Sequence, residues 1–200
     1  ILQTYTDRPV GWHAKEDGVV CDADVGIGPD GVERFYYPTL GGDSVVSIDP
    51  ETGETIAETN TPEGARPVMH TNAPDGRMWV QESGSNTNSV FDPITLELVA
   101  RIGAAQGPVV GTFSPDGKYA YIGHYGDSVV QVIDTETITE VTQITVGSTP
   151  TKIAVHPNGK YIYAIASKEA ALTVIETGSW EVTGRIALDN NASGLFLWAD

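Results

Sequence analysis

Residues 107–147, GPVVGTFSPDGKYAYIGHYGDSVVQVIDTETITEVTQITVG, decide the fold. The apolar run Val109-Val110-Gly111-Thr112-Phe113 stops at Ser114-Pro115-Asp116-Gly117. That tetrad sets a tight turn: proline fixes φ, aspartate bonds its own backbone, and glycine accepts positive φ. Tyr119, Tyr121 and Gly123 then alternate with Ala120 and Ile122, the period-2 pattern of a strand with different neighbours on its two faces. Gly126-Asp127 turns the chain again, residues 129–133 make a third strand, Asp134-Thr135-Glu136-Thr137 a third turn, and residues 140–146 a fourth strand. Nothing in the stretch has helical period.

The unit recurs, and self-similarity at about 40 residues marks a repeat architecture. Pro74-Asp75-Gly76 returns as Pro115-Asp116-Gly117 and as Pro157-Asn158-Gly159, at steps of 41 and 42. Asp49, Asp92, Asp134 and Glu176 close the third strand at steps of 43, 42 and 42, and Pro67, Pro108 and Pro150 open the first. Gly42-Asp43-Ser44-Val45-Val46 reappears whole as Gly126-Asp127-Ser128-Val129-Val130. Four strands per repeat, joined by tight turns, predict an all-β protein: a β-propeller of four-stranded antiparallel blades. The repeats fall at 22–59, 66–102, 107–144 and 150–186, with partial blades at 1–21 and 190–200, in one domain over 1–200. In the second repeat, residues 82–88 read as a polar loop. Four to five blades are expected in this chain, as part of a larger ring of about seven, because an open ring leaves sheet faces bare.

Composition narrows the partners. A formal charge of -16, from 27 acidic against 11 basic residues, argues against nucleic acid and anionic membrane surfaces. No apolar run reaches the length of a transmembrane helix. The single cysteine, Cys21, cannot form an internal disulfide, and no Cys-x-x-Cys-His attaches haem. Ile1 is not an initiator methionine, and residues 1–20 lack a signal-peptide pattern, so a processed or longer chain is expected.

The repeats resemble the YVTN family, also called surface-layer or lactonase-like. Its pattern is a Ser-Pro-Asp-Gly-Lys turn, a Tyr-Val-Thr-Asn-like second strand and a Val-Ile-Asp-x-x-Thr third strand. Residues 114–118, 119–123 and 132–137 match it, as do 157–160, 161–164 and 174–177. The resemblance implies a periplasmic, extracellular or cell-surface protein that binds a protein or small molecule at the axial funnel, with further blades supplied by another segment or chain. Related propellers include redox enzymes with copper or haem d1 on the axis, and lactonases.

Departures from the repeat pick out site candidates. His70 stands where other repeats carry Gly111 and Ile153, and His124 where the fourth has Ala166; either can serve as a ligand-binding or metal-ligating imidazole. Arg66 offers a guanidinium for a carboxylate or phosphate near the funnel. His13 lies in the atypical leading stretch, and His156 holds a structural place before Pro157. Asp22-Ala23-Asp24 with Glu33 superficially suggests a calcium loop but lacks its third acid and its glycine. With no nucleophile elbow, phosphate loop or dinucleotide fingerprint, the expected function is a binding or assembly module without resident cofactor. The alternatives are part of a copper or haem redox propeller, then a lactonase-like hydrolase.

Overall fold

The structure, a computed structural model, describes residues 20–189. Every strand in it belongs to one of four four-stranded antiparallel sheets in which neighbours follow chain order. Blade 1 is β1 (Asp24–Ile27), β2 (Glu33–Thr39), β3 (Ser44–Ile48) and β4 (Thr55–Asn60); blade 2 is β5 (Pro67–Asn72), β6 (Met78–Glu82), β7 (Thr87–Phe91) and β8 (Leu98–Gly103). Blade 3 is β9 (Pro108–Phe113), β10 (Tyr119–His124), β11 (Val129–Asp134) and β12 (Thr139–Thr145); blade 4 is β13 (Pro150–Val155), β14 (Tyr161–Ala166), β15 (Ala171–Glu176) and β16 (Val182–Ala187). The partial blades at 1–21 and 190–200, and His13, lie almost wholly outside the described residues. No helix among those described is long and apolar enough to cross a membrane.

The repeat seen in the sequence is a repeat of backbone conformation. Gly31, Gly76, Gly117 and Gly159 hold positive φ in the turn between first and second strands. Asp43, Asn86, Ser128 and Ala170 do so between second and third, and Gly53, Leu96, Ile138 and Trp180 between third and fourth. At the last position three blades carry bulky residues that tolerate the left-handed region poorly. In blades 1 to 3 the acid four residues earlier holds the turn. Asp49 Oδ1 accepts the N–H groups of Glu51 and Thr52, Asp92 those of Ile94 and Thr95, and Asp134 those of Glu136 and Thr137, all within 3.1 Å. A bulge follows at the same register in every blade, between Ser47/Ile48, Val90/Phe91, Val132/Ile133 and Val174/Ile175.

Alternation along each strand sends one set of side chains to the blade before and the other to the blade after. Tyr36, Val45, Met78, Val80, Phe91 and Leu96 form the slab between blades 1 and 2. Trp79, Val90, Ala120, Ile122 and Ile133 form the next, with Phe113 edge-on to Trp79 at 5.7 Å between centroids. Tyr121, Val132, Ile153, Ile162 and Ile175 are among those between blades 3 and 4. Each such side chain contributes about 1.5–3 kcal/mol by burial, so the core is a stack of slabs that joins blades in series. The turns stack as well: a Cβ on Gly117 would lie 3.3 Å from Pro74, as one on Gly76 would lie 3.4 Å from Pro29. First strands β5, β9 and β13 touch in chain order, blade 1 meets β5 through its second strand β2, and no comparable contact joins blade 4 to blade 1 among the described residues.

One sequence expectation needs correction. Residues 82–88 are not one polar loop: Glu82 ends β6, and Thr87 and Asn88 begin β7. Their polarity is absorbed by hydrogen bonds: Asn88 Nδ2 donates to Gln131 Oε1 of blade 3 at 3.2 Å, and within blade 2 Glu82 accepts from Thr87 and Arg101.

Candidate functional site

The turns between second and third strands and the links from each blade to the next share one face of the molecule, and Arg66 lies there. Each link ends in a positive-φ residue before the proline that opens the next blade: Arg66, Gly107 and Thr149. This geometry leaves N–H groups without ladder partners, and neighbouring side chains accept from them. Asp43 takes Gly64 N–H at 2.6 Å and Arg66 N–H at 2.7 Å. Gly107 N–H goes to Asn86 Oδ1, Gln106 N–H to Asp127 Oδ2, and Ser148 N–H to Glu169 Oε1. Gly84 must be glycine at this face, since a Cβ there would meet Gly64 O at 2.1 Å and Arg66 Cγ at 3.0 Å. Arg66 therefore has its main chain fixed while its side chain is exposed, and no described residue pairs with its guanidinium.

His70 lies on β5, opposite Val80 in the β5–β6 register, and so faces blade 1. Its side chain is wholly buried, 6.4 Å from the Tyr36 ring centroid. Asp22 reaches across from the segment before β1: its Oδ2 accepts the His70 backbone N–H at 3.0 Å and stands 3.2 Å from Nδ1. Partial burial pushes the Asp22 carboxyl up, but the imidazole and the N–H outweigh it and hold it below the usual carboxylate value. That carboxylate is engaged with His70.

His124 ends β10 on the same face as Ile122, toward blade 2. It is fully buried, neither ring nitrogen has a hydrogen-bond partner among the described residues, and burial pulls its pKa down to about 4. His124 is thus a neutral imidazole at physiological pH. The two histidines lie on opposite sides of blade 2 and do not converge. Arg66 is at the loop-face entry of β5. Among the described residues, no group of three His, Cys, Asp or Glu is placed to hold a metal ion.

Sequence reading missed two arrangements. The link-capping set of Asp43, Asn86, Asp127 and Glu169 had a signal in the recurring Gly-Asp-Ser. The buried Glu82, bonded to Arg101 Nε at 3.2 Å and Nη2 at 3.3 Å, had one in an acid closing a strand that opens Met78-Trp79-Val80.

No protein-family model matches the chain, and no curated protein does. Solved structures of β-propellers do. Hydrazine synthase of Kuenenia stuttgartiensis matches with 26% identity and a TM-score of 0.75, over 88% of this chain and 51% of that one. A periplasmic gluconolactonase of Pseudomonas aeruginosa matches with 22% identity and a TM-score of 0.67, over 81% and 52%. Virginiamycin B lyase of Staphylococcus aureus matches with 16% identity and a TM-score of 0.73, over 90% and 59%. The fold is that of a β-propeller, and the chain spans a little over half the length of the propellers it matches.

Proposed function

We propose that this chain supplies four blades of a larger YVTN-type propeller that works outside the cytoplasm as a binding and assembly module. The observation that carries the reading is the fate of the reactive side chains. His70 and His124 are buried in two separate interfaces, and the loop-face carboxylates Asp43, Asp127 and Glu169 cap backbone N–H groups. Groups committed in this way build a rigid rim, on which the exposed Arg66 side chain is a charged group left to a ligand. The turn and strand motifs at 114–123 and 132–137 support the YVTN label. The lone cysteine and acidic surface are compatible with a periplasmic or cell-surface setting.

Similarity to hydrazine synthase favours a second reading, a propeller portion of a redox assembly whose metal or haem is bound elsewhere. Native mass spectrometry with metal analysis and a visible spectrum separates the two. Colourless, metal-free protein that retains a partner supports the module; stoichiometric copper or haem in the isolated material would overturn it in favour of the redox assembly.

A further inference from the structure

On the face opposite the loop links, the turns between first and second strands stand side by side, and a groove runs between each pair of blades. Two of the three grooves are bridged. Between blades 1 and 2, the Tyr36 hydroxyl donates to Pro93 O at 2.8 Å. Between blades 2 and 3, Arg77 Nη2 donates to Thr135 O, also at 2.8 Å. Pro93 and Thr135 hold the same place in their blades, directly after the acid that closes the third strand, and in blade 4 that place is Thr177.

Neither bridge exists between blades 3 and 4. Tyr119 occupies the position of Arg77: Ser114 N–H bonds Tyr119 O as Ala73 N–H bonds Arg77 O. Tyr121 occupies that of Tyr36, paired with the residue two before the third-strand acid, and its buried hydroxyl meets the equally buried Thr177 Oγ1 instead of a backbone carbonyl. A cleft of about 210 Å³ opens here, with Pro115, Tyr119 and Pro157 as apolar walls and Asp116, Asn158 and Thr177 as polar lining. Asp116 Oδ1 and Asn158 Oδ1 are spent on the turns, each accepting the N–H two residues on. Asp116 Oδ2 and Asn158 Nδ2 make no hydrogen bond to a described residue. Tyr119 is braced from behind by Trp180, edge-on at 5.0 Å.

We propose that this cleft is a binding site for a small neutral polyhydroxylated ring, a single sugar unit. Its size suits one ring. Apolar walls accept C–H faces, while a carboxylate oxygen and an amide N–H pair offer an acceptor and donors. The formal charge of -16 and the Asp116 carboxylate turn away sugar phosphates. The site lies at the blade 3–blade 4 turn face, apart from Arg66 and the loop rim, so it goes beyond the module proposed above and stands or falls separately.

The test is titration of the whole chain with D-glucose, D-galactose and myo-inositol, followed by Trp180-sensitive fluorescence and by NMR, with glucose 6-phosphate as the charged control. Saturable millimolar binding of a neutral ring is expected. Asn158→Asp, which keeps the turn acceptor and removes the amide N–H pair, weakens it about tenfold. Tyr119→Arg, which restores the bridge that Arg77 makes, abolishes it, and thermal melts check that both variants remain folded. No saturable binding of any neutral ring at about 100 mM, or binding indifferent to both substitutions, overturns the proposal; tighter binding of glucose 6-phosphate than of glucose does so as well.

Discussion

Replacing His124 by glutamine should remove a pH dependence of stability that the wild-type chain carries between about pH 7 and pH 4. The imidazole is wholly buried against blade 2, its nitrogens lack partners among the described residues, and burial lowers its pKa from 6.5 to about 4. In the unfolded chain the same group takes up a proton as pH falls below about 6.5. The unfolded state therefore binds more protons than the folded one in that window, and stability drops as pH falls. The contribution is complete above pH 6.5, is lost progressively toward pH 4, and does not change further below it. A shift from 6.5 to about 4 corresponds to about 3 kcal/mol. Urea unfolding at a series of pH values reads this directly, with fluorescence of Trp79, buried in the same slab, as reporter. Carboxylates titrate alike in both proteins, so the wild-type minus variant difference isolates the histidine. Parallel pH profiles would refute the reasoning and mean that the imidazole is solvated or partnered in solution.

Three further outcomes follow from the turns and links. Gly117→Val places a β-branched residue at φ +74 with its Cβ against Pro74, and should cost about 2 kcal/mol; a Tm equal to wild type would refute the turn geometry. Asp43→Ala strips two N–H groups of their acceptor and should cost about 1 kcal/mol, with faster hydrogen exchange at Gly64 and Arg66 as the local signature. The N–H of Thr137, together with its hydroxyl, holds the Asp134 carboxyl below its ordinary 3.8. Its contribution is present above that value and lost as pH falls through the folded one, so Asp134→Asn should flatten the acid limb of a Tm-against-pH curve.

Strand ends and turns were legible because they depend on chemistry local to a few residues. Proline before a first strand, glycine at positive φ and an acid collecting two N–H groups leave the same mark in each repeat. Which neighbour a side chain meets was not legible. Alternation says that His70 and Met69 differ in face, but it takes the register with β6 to turn His70 toward blade 1, and the register with β9 and β11 to turn His124 toward blade 2. Polar residues around β6 and β7 suggested a loop because their partners, Arg101 and Gln131, are remote in sequence. The blade 3–blade 4 cleft leaves still less trace. It arises where Arg77 has no functional counterpart, and the group that Arg77 bridges to is a backbone carbonyl, which every residue has.

The link between blades 2 and 3 is held from both sides, by Asn86 of the blade behind and Asp127 of the blade ahead. The joint is therefore written into the two units it joins. A gene segment copied from one link to the next brings its own fastenings to both neighbours, so such a ring grows or shrinks by whole units without a new connector being devised. Blade number then becomes a matter of curvature, set by how widely the slabs splay successive sheets, and chain length follows from it.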